Sequence, residues 1–130
     1  MSRESTLNTL VNKLSDQPFE YGINDCFTFT NALVEAWHGK SFKDCQKYKT
    51  KEEAMAYIAA NGSLQTLIME QLGYPVNAEN CENGDVVTAK VGPDGSVAFG
   101  FVYDGHSLFK CNKGVKKLKL SHCLQGWRIR

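Results

Sequence analysis

The chain has 130 residues, 42% of them hydrophobic and 11% aromatic. That suits one globular domain spanning 1–130; the expectation is a single core without modular architecture, and the composition argues against disorder. Fifteen Lys and Arg stand against 14 Asp and Glu, so global charge names no partner.

Leu7, Leu10, Val11 and Leu14 recur at helical spacing, which predicts an amphipathic helix over residues 4–15. Pro18 blocks its continuation. Asn24 or Asp25 is a good N-cap for the apolar segment CFTFTNALVEAWHG, and Gly39 is its stop. This reads as a buried central helix with Cys26 in its first turn. Thr50 and Glu53 form a capping box before Ala54, Met55, Tyr57 and Ile58, and Asn61-Gly62 ends that helix. Ser63 caps a further helix carrying Leu64, Leu67, Ile68 and Leu72, closed by Gly73.

After Pro75 the pattern changes to strands. Residues 85–91, 96–103 and 106–111 read as three, separated by the turns Pro93-Asp94-Gly95 and Asp104-Gly105. Residues 115–120 and 126–130 read as short fourth and fifth strands. The class is therefore α+β: N-terminal helices packed on a C-terminal antiparallel β-meander. Trp37 and Trp127 read as core residues, and Met55 and Met69 as packing residues on helix faces.

No apolar run approaches the roughly 18 residues of a membrane span. The opening MSRESTLNTLVNKLSDQ lacks the apolar stretch of a secretory signal. The expected place of synthesis is a cytosol. Five cysteines, Cys26, Cys45, Cys81, Cys111 and Cys123, are an odd number without a secretion signal, which points to free thiols. Cys111, His122 and Cys123 lack the paired spacing of a zinc site, and no phosphate-binding glycine motif follows a strand. No metal or cofactor is implied.

Charge is segregated. Residues 1–106 hold 8 Lys/Arg and 14 Asp/Glu, net −6, whereas residues 107–130 hold 7 Lys/Arg and no acid, net +7. A basic segment of this kind either meets a polyanion or blunts a strand edge. Its lysines lack the interleaved aromatics of a base-stacking platform, which argues against nucleic acid.

Cys26 at the head of a helix carries the chemistry. A helix N-terminus favours a thiolate, and a nucleophilic cysteine needs a base, usually histidine, on a facing element. The segment Phe19-Glu20-Tyr21-Gly22-Ile23-Asn24-Asp25-Cys26, with its apolar helix, resembles the nucleophile region of the NlpC-type, papain-like cell-wall cysteine peptidases. Asn83-Gly84-Asp85-Val86-Val87 looks like the motif opening their sheet. Ala98-Phe99-Gly100-Phe101-Val102-Tyr103 looks like their next strand. Gly126-Trp127-Arg128 is similar to the ending of small phage proteins of that superfamily.

The resemblance implies Cys26 as nucleophile and Tyr21, Gly22 and Asp25 as substrate-side residues. The histidine position falls on Ala98 or Val97, or on Ser96 with a further slip, and none of these is a base. The third polar position falls near Phe109 to Lys110. His38 lies about 18 Å along the Cys26 helix, His106 sits at a turn, and His122 in a late loop. The implied function is a degenerate, non-catalytic domain in a phage virion, as a tail or ejection-apparatus component. Its partners would be other virion proteins and peptidoglycan, and it would be made in the host cytoplasm and become virion-associated. Two alternatives stand beside it. One is an active peptidoglycan or amide hydrolase using Cys26 and an unconventional base. The other is a small protein that binds a host factor through residues 107–130.

Overall fold

Four α-helices precede a five-stranded antiparallel sheet in the described part of the chain. The structure is a computed structural model, and it describes residues 2–21, 24–39, 49–60, 62–91, 97–111 and 114–129. Gly22, Cys45, Asn61, Ser96 and the Pro93-Asp94-Gly95 turn lie outside the described residues.

The helices are α1 (Arg3–Asp16), α2 (Cys26–His38), α3 (Lys51–Ala60) and α4 (Leu64–Leu72). Their ends obey local capping chemistry. The Ser2 hydroxyl accepts from Ser5 N–H at 3.0 Å, and the Ser63 hydroxyl accepts from Thr66 N–H at 3.1 Å. Gly39 ends α2 with φ of 80°, a left-handed conformation that glycine adopts without a Cβ penalty. Met69 packs against the core as expected, but Met55 is 44% exposed because α3 buries only Ala54 fully.

The strands are β1 (Val86–Lys90), β2 (Val97–Tyr103), β3 (His106–Cys111), β4 (Gly114–Lys119) and β5 (Gln125–Trp127). Asp104 and Gly105 have φ of 54° and 75°, so both residues of the β2–β3 turn take the positive φ that a tight hairpin demands. The sheet order is β4-β3-β2-β1-β5. The first four strands form the expected meander. The fifth does not extend it but crosses back to pair with β1, Val86 lying opposite Trp127.

The reason is a long-range anchor at Asp85. Its buried carboxylate accepts from Glu82 N–H at 2.8 Å and from Ile129 N–H at 3.0 Å, and Arg128 Nε lies 3.2 Å away. Trp127 is buried and donates its indole N–H to Gly73 O at 3.0 Å. The C-terminal segment is thus held beside β1 from both sides.

Residue parity splits the core in two. Val86, Phe99, Phe101 and Leu108 face the helices and pack with Leu7, Phe29, Leu33, Val34 and Trp37. Val87, Ala89, Val102 and Phe109 face the other way and pack with Ala78 and Cys81. Helix α2 lies on β2 and β3. A helix that begins with a cysteine and packs on an antiparallel sheet is consistent with a general papain-like topology.

Candidate functional site

The residues before Cys26 are occupied by helix capping. Asn24 is 2% exposed. Its side-chain Nδ2 donates to Leu14 O, Gln17 O and Pro18 O at 3.2, 3.3 and 3.3 Å, so it closes the C-terminal end of α1. The next residue serves the next helix. The Asp25 carboxylate accepts from Thr28 N–H at 2.8 Å, and Asp25 N–H donates to Thr28 Oγ1 at 2.8 Å, a reciprocal capping box. Two consecutive side chains therefore join α1 to α2 and set where Cys26 stands.

Cys26 is the first residue of α2 and is partly exposed as a residue. Its thiol is nevertheless pushed up to about 11 by burial, with the Asp25 carboxylate adding to the rise and a backbone hydrogen bond at Phe99 opposing it. Sequence reasoning expects the helix N-terminus to lower this value. Burial accounts for most of the difference, and the Asp25 carboxylate, which already accepts at the positive end of α2, adds to it by lying beside the sulfur. At neutral pH a thiol of this kind is about one part in 10⁴ thiolate.

Strand β2 clamps this end of the helix. Phe27 stacks on Phe99 with centroids 5.2 Å apart, and Thr30 Oγ1 donates to Phe99 O at 3.0 Å. The two positions expected to replace the histidine part company here. Val97 packs with the helix-side core, whereas Ala98 belongs to the opposite face of the sheet. On the helix side β2 presents Val97, Phe99, Phe101 and Tyr103; Phe101 and Tyr103 meet Trp37 near the far end of α2, and Val97 and Phe99, both apolar, are unable to take a proton from Sγ.

The three histidines stand elsewhere. His38 Nε2 lies 2.7 Å from Gly84 O, which makes Nε2 the donor, at the far end of α2 from Cys26. His106 Nδ1 lies 3.1 Å from Asp104 O at the hairpin tip. Tyr103, its cross-strand neighbour, is four residues from Phe99, about 13 Å along the strand. His122 is exposed in a short 3-10 turn whose neighbour Leu120 packs on the other face of the sheet. Among the described residues, no histidine is hydrogen-bonded to Cys26.

The third polar position is also taken. Phe109 is fully buried on the far face. Lys110 is 3% exposed and donates from Nζ to Gln17 O at 2.7 Å. It therefore shares an acceptor with Asn24 at the end of α1, where the helix dipole favours a cation. Sequence reasoning passed over this buried lysine. The available signal was parity: Lys110 is two residues from Leu108, on the core-facing side of β3.

Of the substrate-side residues, Asp25 is buried in its capping box, and the Tyr21 ring packs edge-on against Phe19 at 5.0 Å. Gly22 lies outside the described residues. The Gly84-Asp85 pair is structural. A Cβ on Gly84 would stand 2.4 Å from Trp37 Cδ1 and 2.9 Å from His38 Nε2, so glycine lets the turn lie against the end of α2. Among the described residues no three His, Cys, Asp or Glu side chains cluster as metal ligands, and no helix is long and apolar enough to cross a membrane.

A comparison with curated proteins finds no match. A family model does cover the chain from end to end, over residues 1–129. The chain belongs to that family, a domain of unknown function designated DUF6950.

Proposed function

We propose that this protein is a non-catalytic, NlpC-like domain that serves as a structural component of a phage virion, in the tail or ejection apparatus. The observation that carries the loss of catalysis is the setting of Cys26. Its thiol is held protonated by burial and by Asp25, and an apolar strand faces it. General-base assistance contributes about 10²–10⁴ to the rate of such a reaction. A site in which, among the described residues, no histidine is hydrogen-bonded to the thiol, and which is about 10⁻⁴ thiolate, lacks most of what a cysteine peptidase requires.

The virion assignment rests on the motif order around Cys26, Gly84-Asp85 and Gly126-Trp127-Arg128 and on its likeness to small phage proteins. A helix–sheet layout with a cysteine at the helix head supports the same reading. In such a role the scaffold is held by protein contacts and lies near peptidoglycan without cleaving it.

The test is fractionation of purified particles and of tail fragments by mass spectrometry, with wild type and Cys26→Ala compared. The reading expects stoichiometric protein in particles from both and no murein hydrolysis by either. Protein found only in the soluble lysate, or murein cleavage abolished by Cys26→Ala, overturns it.

A further inference from the structure

The sheet has two edges, and they differ. Beyond β5, Val76 N–H donates to Gly126 O at 2.7 Å and Gly126 N–H to Val76 O at 3.0 Å, so that edge is partly closed. Beyond β4, no described strand pairs. Strand β4 is nevertheless well seated: Val115 packs into the helix-side core and Leu118 into the opposite one. It leaves a six-residue edge whose outward backbone groups have no strand partner among the described residues.

That edge is basic on both faces. Lys117 lies opposite Leu108 and Lys119 opposite His106, on the helical side, while Lys116 lies opposite Phe109, on the other side. All three are exposed, and among the described residues no carboxylate pairs with them. The surrounding segment 107–130 contains no acid.

We propose that β4 takes up an extended acidic segment of a partner protein as a sixth strand. Main-chain hydrogen bonds to the open edge would supply the affinity, and carboxylates beside Lys116, Lys117 and Lys119 the selectivity. Lysines on an edge discourage indiscriminate pairing. The same charges select an anionic strand. A second copy is a poor occupant, because antiparallel registers centred on β4 set Lys117 opposite Lys117 or Lys119, or Lys116 opposite Lys116, of the other chain, and opposed like charges destabilise a ladder. A nucleic acid is disfavoured by the absence of any aromatic side chain in β4 on which a base would stack. The inference depends only on the sheet edge and stands whether or not the protein enters particles.

The test is titration of the isotope-labelled full chain, followed by its backbone amide spectrum at about 20 mM salt. The probe is the end-capped peptide Glu-Val-Glu-Glu-Val-Thr, whose acids fall opposite Lys119, Lys117 and Lys116 in an antiparallel pairing. Expected are saturable shifts centred on residues 114–119 and weakening by about tenfold in the K116Q/K117Q/K119Q variant, whose own spectrum reports that it folds. A peptide of the same charge with N-methylated alternate amides should fail to bind. No shift at β4 overturns the proposal. Equal binding by the N-methylated peptide reduces it to charge attraction and overturns strand addition. Binding of an oligothymidylate at β4 without binding of the peptide makes nucleic acid the partner and overturns it as well.

Discussion

Replacing Asp85 with Ala tests what holds the C-terminal strand. The carboxylate is 4% exposed and accepts from Glu82 N–H and Ile129 N–H at 2.8 and 3.0 Å. Losing a hydrogen bond to a charged group costs about 1.5–3 kcal/mol, the lower end applying where water reaches the stranded donor. Glu82 is exposed and Ile129 partly so, so the two together lose about 3 kcal/mol. Arg128 adds little, because its side chain is 37% exposed and an exposed ion pair contributes about 0–1 kcal/mol. With a urea slope of about 2 kcal/mol/M, Asp85→Ala should lower the unfolding midpoint by about 1.5 M. Asp85→Asn keeps one acceptor and should lose about half as much, and Arg128→Ala less than about 1 kcal/mol. An Asp85→Ala loss below about 0.5 kcal/mol, or one matched by Arg128→Ala, would refute the reasoning that backbone anchoring by this carboxylate draws β5 back to β1.

Three further outcomes follow from the same contacts. Gly84→Ala should cost about 2–4 kcal/mol in urea unfolding, since its Cβ meets Trp37 and its φ is 94°. Asp25→Ala should cost about 1–2 kcal/mol through loss of the capping box, and it should modestly speed alkylation of Cys26 by removing a charge that adds to the effect of burial on its thiol. In alkali the native thiols of Cys26 and Cys81 stay protonated up to about 11, whereas unfolded thiols ionise near 8.5. A raised folded value stabilises below the unfolded pKa and is lost as pH rises toward the folded one. Stability should therefore fall across that window by at most about 1.4 kcal/mol per pH unit for each thiol, and Cys26→Ala should flatten the slope relative to wild type.

The elements written in local chemistry were legible: the Cys26 helix with its Gly39 stop, the Ser63 and Gly73 ends of α4, and the Asp104-Gly105 hairpin. Each is set by one or two residues whose dihedral or hydrogen-bonding preference acts within a few positions. The return of β5 to β1 was not legible, because Asp85 reaches Ile129 across 44 residues and no periodicity records it. The site was legible in part. That the expected histidine position holds no base, whether it falls on Ala98, Val97 or Ser96, follows from residue identity alone. That Val97 rather than Ala98 faces the helix depends on strand register, where one residue reverses the side. The double capping by Asn24 and Asp25 and the buried Lys110 became visible only once α1, α2 and β3 were brought to one place.

The central claim is that Cys26 is a thiol kept inert by its surroundings. It is tested most directly by the rate of iodoacetamide alkylation at each cysteine, resolved by peptide mass spectrometry, as a function of pH. Cys26 should react far more slowly than a free thiol at neutral pH, with a rate that climbs toward an inflection at about 11. A Cys26 that outpaces the other cysteines, with an inflection near or below 8, would mean an activated nucleophile and would contradict it.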